Sequence, residues 1–380
     1  MARWAQWAMV AVLGLGVAPA RAEDAARIQQ LVGRIESRQA AFMTDEQVPV
    51  SRAALFRGAL TDVRRALDEL ARLSEPAVPA LARLLGGAKV HLRANAAYAL
   101  GVVGGPKTAP SLAGASNDAA AAVRYQVALA LGNTCSTAAL PALNKLAGDA
   151  HDVVRNAAIQ VSGALRDVLD AEQEGTPAQR ITKLVKLTYA QPACTRLAAY
   201  GAEAVPALIA ALGDSDRGVI AGAAATLARI GDKQALEPLW TRLSASLKEG
   251  KPELKFAQAL GEFRSPEVWP FLKKLLDSGH PAVAYFALQR MAELANPERT
   301  ATLNTFLQQL IEKGTHREAA RGSEMQVNPV ASVCEVLALV GDKTSLPLLQ
   351  QVISEAPPSE KSIVKPLAVR AKAAIEQRGA

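Results

Sequence analysis

Three arginines stand 31 residues apart, Arg93, Arg124 and Arg155, and each is followed eight residues later by a glycine, Gly101, Gly132 and Gly163. A ladder of guanidinium groups at a fixed interval could hold a row of phosphates, since each fork donates five N–H groups in a plane. The same ladder could be structural, because Asp149 and Asp152 lie close in sequence and could pair with it. Past the third rung the column reads Ala190, Ile220, Glu253, Ala284, Val330 and Arg370, which favours the structural role.

Other chemistry is sparse. His91, His151 and His280 fall two or four residues before the column, and His316 stands in a polar stretch. His151 and His280 are four repeats apart, too far to share a metal when packed helices lie about 8–10 Å apart. They read as turn and cap residues. Cys135, Cys194 and Cys334 form no C-x-x-C and no metal-like spacing, so they read as small buried hydrophobes. There is no G-x-S-x-G, P-loop or glycine-rich dinucleotide fingerprint. No catalytic, metal or cofactor-binding residue is assigned, and no enzyme activity is expected.

A second marker shares the period of the arginines. Pro79, Pro110 and Pro141 sit fourteen residues before them, each followed by a small residue and Leu. The frame continues through Pro206, Pro238 and Pro270, with a degenerate unit around Pro177 and Gln191. Each unit reads as two helices. Proline starts helix A, where its missing N–H costs nothing; Val78, Leu81, Leu84 and Leu85 form an apolar face at helical spacing. A polar turn follows. Helix B then carries small residues, such as Ala96 and Ala97, that let neighbours approach, and pairs such as Gly231-Asp232 and Gly341-Asp342 close it.

One such pair cannot bury its own apolar face, whereas stacked pairs can. The fold expected is all-α, a right-handed α-solenoid of about eight to nine helix pairs over residues 74–380. An N-terminal helical cap is expected over residues 23–73, as two amphipathic helices. Two interruptions read as loops: Asp170 to Pro177 and the polar insertion Glu312 to Pro329.

The Val-Arg and Ala-Leu-Gly elements (Val123-Arg124, Ala130-Leu131-Gly132) and Val78-Pro79-Ala80-Leu81 resemble the HEAT family, in the short bilin-lyase-type form. The resemblance implies a solenoid with helix B on its concave side and a tendency to bind proteins. It leaves two alternatives, a HEAT-repeat enzyme of the bilin-lyase type and a nucleic-acid binder using the arginine ladder as HEAT-like DNA glycosylases do. The His-Glu pairs that ligate iron in some HEAT-repeat enzymes are absent, as no His-Glu dipeptide occurs.

Helix B supplies the candidate site. Positions one and five after the column share a face, and there stand Tyr98, Tyr125, Asn156, Gln160, Gln191, Gln258, Tyr285 and Gln289. This uncharged, amide-rich stripe suits an extended peptide or protein partner of unknown identity.

The start of the chain reads as a leader. Arg3, the apolar run Ala8 to Val17 and Ala20-Arg21-Ala22 before Glu23-Asp24 form a secretory signal peptide over residues 1–22, cleaved after Ala22. The run is short of the roughly 20 apolar residues that span a bilayer. A periplasmic or secreted monomer with no membrane span is expected. Without Arg3 and Arg21 the chain holds 41 basic and 36 acidic residues, net +5. That charge is mild and dispersed, so nucleic acid is not the expected partner.

Overall fold

Proline marks where most of the A helices begin. The computed structural model describes residues 22–38, 66, 69–70, 73, 75–317, 328–357 and 363–379 of the 380-residue chain. The chain forms two compact units, Met1–Glu174 and Gly175–Ala380. The leader, most of the second cap helix and the middle of the insertion lie outside the described residues.

Unit 1 opens with α1 (Ala22–Arg38), whose Leu31, Val32 and Ile35 are buried in the hydrophobic core. Arg27 on α1 pairs with Glu69. Three A/B pairs follow: α2 (Val78–Leu85) with α3 (Val90–Val103), α4 (Ala109–Gly114) with α5 (Ala121–Gly132), and α6 (Leu140–Leu146) with α7 (Asp152–Gln173). Pro79, Pro110 and Pro141 occupy the first turns of α2, α4 and α6, each fed by a short 3₁₀ turn. Leu81, Leu84 and Leu85 of α2 are buried, each worth about 1.5–3 kcal/mol relative to exposure.

Unit 2 holds six more pairs: α8 (Pro177–Val185) with α9 (Gln191–Tyr200), α10 (Val205–Ala211) with α11 (Arg217–Ile230), α12 (Leu236–Lys248) with α13 (Leu254–Glu262), α14 (Trp269–Asp277) with α15 (Pro281–Glu293), α16 (Arg299–Glu312) with α17 (Pro329–Val340), and α18 (Leu346–Glu355) with α19 (Val364–Gly379). In both units each B helix packs on the next, α3 on α5 on α7, and α9 through α11, α13, α15 and α17 to α19. The described residues thus form α-solenoid in each unit, three stacked helix pairs in unit 1 and six in unit 2, without a strand among them. The stacking explains the first of the glycines that follow the arginine column: a Cβ at Gly101 would stand 2.9 Å from the Cα and Cβ of Ala130, so a side chain there would push α3 off α5, whereas a Cβ at Gly163 would meet nothing within 4 Å.

The structure differs from the expected loop at Asp170 to Pro177. Helix α7 runs on to Gln173, because Ala171, Glu172 and Gln173 are good helix formers. Only Glu174 to Thr176 form the connection. Thr176 then opens α8 with a capping box, its hydroxyl accepting the Gln179 N–H while the Gln179 side chain accepts the Thr176 N–H.

Candidate functional site

In unit 1 the first two arginines of the column form a half-buried chain of ion pairs. Arg93 donates through Nε and Nη2 to Asp118, at 2.6 and 2.9 Å, and through Nη1 to the carbonyls of Gly87 and Ala88. Arg124 repeats the pattern one repeat later. It donates to Asp149 at 2.6 and 2.9 Å and to the carbonyls of Asp118 and Ala119, both at 2.9 Å. Each arginine therefore ties the A–B turn of its own repeat to the aspartate 25 residues on, in the next A–B turn. The aspartates also accept the N–H two residues later, from Ala120 and His151.

These contacts use up both guanidinium forks within the chain. The pairs are not exposed surface pairs: the Asp118 and Asp149 side chains are 9% and 7% exposed, and the arginines 15% and 17%. Burial on its own would push the Asp118 carboxyl up, but the Arg93 hydrogen bond and the Ala120 N–H outweigh it and hold the carboxyl below its ordinary value. The Arg124 hydrogen bond does the same for Asp149, and Asp149 in turn raises Arg124. Asp152, the other expected partner, is exposed beside His151.

Arg155 keeps only half of the pattern. Its Nη1 donates to the carbonyls of Asp149 and Ala150, at 2.7 and 3.4 Å, and no carboxylate meets it among the described residues. The position 25 residues on is Arg180. In unit 2 other cations serve the turn carboxylates. Lys186 reaches Asp214 at 2.7 Å. Glu355 stands 25 residues after Val330 and is held by Arg317 and by the fully buried His316, whose Nε2 is 2.9 Å away. Arg317, His316 and Gln351, in that order, pull the Glu355 carboxyl down to about 2.

The helix-B stripe divides between the units. In unit 1, Asn156 and Gln160 on α7 are exposed, while Tyr98 on α3 and Tyr125 on α5 are half-buried, Tyr125 against the core. In unit 2, Gln191 on α9, Gln258 on α13 and Gln289 on α15 are exposed, and Tyr285 is half-buried with its ring edge-on to Phe286. Because α13 packs on α15, Gln258 and Gln289 occupy the same register on adjacent helices. Gln258 donates to Glu262 at 2.8 Å, which leaves its carbonyl oxygen available. The stripe is not surface along its full length, since Ala94, Thr195 and Ala331 are buried in it.

Sequence reasoning missed a second set of contacts between repeats. Helices end with unmet carbonyls, and here the following B helix caps them. Asn133 donates to the Gly101 carbonyl at 3.0 Å. Arg290 donates to the carbonyls of Gly261 and Glu262 at 2.7 and 3.2 Å, and Arg378 to those of Ala338 and Gly341 at 2.6 and 3.0 Å. Three residue positions and two residue types do this, so no periodic signal marked them.

His151 and His280 occupy the turn residue before α7 and α15, as expected, and neither side chain caps its helix. Among the described residues no three of His, Cys, Asp and Glu gather in a metal-sized group, and no helix is long and apolar enough to cross a membrane. None of the three cysteines forms a disulfide; Cys194 and Cys334 are buried and Cys135 is half-buried. Burial raises the Cys194 thiol and pushes that of Cys334 up to about 12, so neither is a ready thiolate.

A family model for HEAT repeats matches residues 112–174 and 188–249, one span in each unit. Those two spans carry HEAT repeats. No curated protein matches this chain. Among solved structures it is similar to human deoxyhypusine hydroxylase in complex with glycerol, at 17% identity and a TM-score of 0.35, over 71% of this chain and 97% of that one. It is also similar to an engineered protein, at 18% identity and a TM-score of 0.30, over 92% and 99% of the two chains. Similarity at this level says nothing of activity.

Proposed function

We propose that this HEAT-repeat chain is a non-enzymatic scaffold that binds a protein or an extended peptide on its helix-B face. The observation that carries the reading is the pair Gln258 and Gln289, exposed in one register on adjacent helices beside the exposed Leu254 and the half-buried Tyr285. An extended peptide carries unmet N–H and C=O groups along its backbone. Amide side chains offer both a donor and an acceptor to them, and a neutral surface sheds water at less cost than a charged one. Asn156 and Gln160, with Tyr98 and Tyr125, offer the same chemistry in unit 1.

The reading includes export by a leader over residues 1–22 to the periplasm or outside the cell, and action there as a monomer without cofactor. Cell fractionation and N-terminal sequencing test that part, with Glu23 as the expected first residue. For the binding face, Gln258→Lys with Gln289→Lys in unit 2, and Asn156→Lys with Gln160→Lys in unit 1, add charge at exposed positions and leave the core alone. Capture of the partner cross-linked in the exported fraction falls in these variants while the helical circular dichroism is unchanged. Undiminished capture by the combined variant contradicts the reading.

A further inference from the structure

The last B helix of unit 1, α7, carries the arginine motif but neither of the contacts that complete it in α3 and α5. Arg155 is anchored as Arg93 and Arg124 are: Nη1 of each donates to the carbonyls five and six residues before it. The other edge of the fork, Nε and Nη2, meets an aspartate in Arg93 and Arg124. In Arg155 that edge meets no acceptor among the described residues. Two parallel N–H groups on an anchored guanidinium match the two oxygens of a carboxylate.

The helix surface beside this fork is open as well. Positions four and eight after the column lie on one side of helix B. In α3 and α5 they are Ala97 with Gly101 and Ala128 with Gly132, all buried, and Gly101 is where α5 approaches α3. In α7 they are Ile159 and Gly163. Ile159 is 54% exposed, and Gly163 is exposed with open space where its Cβ would stand. Covering such an isoleucine is favourable by about 25 cal/mol per Å² of apolar surface.

The earlier repeats specify what fits. Asp118 and Asp149 stand three residues before the first residues of α5 and α7, and each accepts the N–H two residues on, from Ala120 and His151. One segment thus delivers both parts: a turn aspartate for the fork, and the helix after it for the open side. We propose that α7 receives a helix of another polypeptide. An aspartate three residues ahead of that helix closes on Arg155, and a face of small and apolar residues lies against Ile159 and Gly163. Asn156 and Gln160 lie about 100° round α7 from this side, so the site is separate from the helix-B stripe and does not rest on its role.

The test measures fluorescence anisotropy of a helix-stapled peptide that begins Asp-Ala-Ala and continues as an alanine- and leucine-rich helix, titrated with the chain. Its Asn-Ala-Ala counterpart is the comparison probe. The aspartate probe binds saturably and about ten-fold tighter than the asparagine probe, the scale of one charge-assisted hydrogen bond. Arg155→Gln removes that preference. Gly163→Leu puts a side chain into open space, so the helical circular dichroism is kept while binding weakens by about ten-fold or more. Ile159→Ser, at an exposed position, weakens it several-fold. The Gln258→Lys, Gln289→Lys variant binds the probe like the wild type. No saturable binding, equal binding of the two probes, or undiminished binding by folded Gly163→Leu overturns the proposal. So does a dimer in sedimentation equilibrium that Gly163→Leu dissolves, because the occupant is then a second copy of this chain.

Discussion

Unit 1 and unit 2 stack the same helix pairs and fasten them differently. In unit 1 two half-buried arginine forks each bind an aspartate of the next turn and the carbonyls of their own. In unit 2 the column is Ala190, Ile220, Glu253, Ala284 and Val330 before Arg370. Lys186, His316 and Arg317 reach the turn carboxylates from elsewhere, and Arg290 and Arg378 cap the preceding B helix instead. A solenoid therefore needs its turns held, and does not need one residue to hold them.

The largest effect follows from breaking a rung in unit 1. Asp149→Ala strands the half-buried Arg124 fork and costs about 1.5–3 kcal/mol in urea denaturation, the range for hydrogen bonds to charged groups. Asp214→Ala in unit 2 moves the midpoint less than half as far, since its Lys186 partner is 69% exposed.

Acid sharpens the comparison further. Asp118 and Asp149 have folded-state carboxyls held below the ordinary value of 3.8, so their contribution is complete above that value and is lost as pH falls through the lowered one. Unit 1 accordingly loses protection in acid below about pH 4, and Asp149→Asn removes part of that dependence. Glu355 gives unit 2 a dependence of the same sign between 4.5 and about 2, but from an exposed arginine and one histidine. The smallest effect is that of Arg155→Ala, about 0.5 kcal/mol, because Arg155 binds carbonyls alone.

Much of the fold was legible because the markers are backbone requirements. Pro79, Pro110 and Pro141 start helices wherever the period puts them, and Gly101 is needed where α5 approaches α3. The role of Arg124 was half legible: an aspartate nearby suggested a pair, but burial and the second anchor on the Asp118 and Ala119 carbonyls come from the turn's shape. The helix-B stripe could be placed by counting, yet counting does not report depth, and Ala94, Thr195 and Ala331 prove buried where a neighbouring helix covers them. The caps by Asn133, Arg290 and Arg378 left no trace in the sequence, because long side chains reach the same carbonyls from different positions.

Hydrogen exchange of individual helices in Asp149→Ala at neutral pH tests most directly the claim that the arginine column is a structural tie in unit 1. The account predicts lost protection centred on α5 and α7, with α13 and α15 exchanging as in the wild type. Unchanged protection of α5 and α7 in this variant would contradict it.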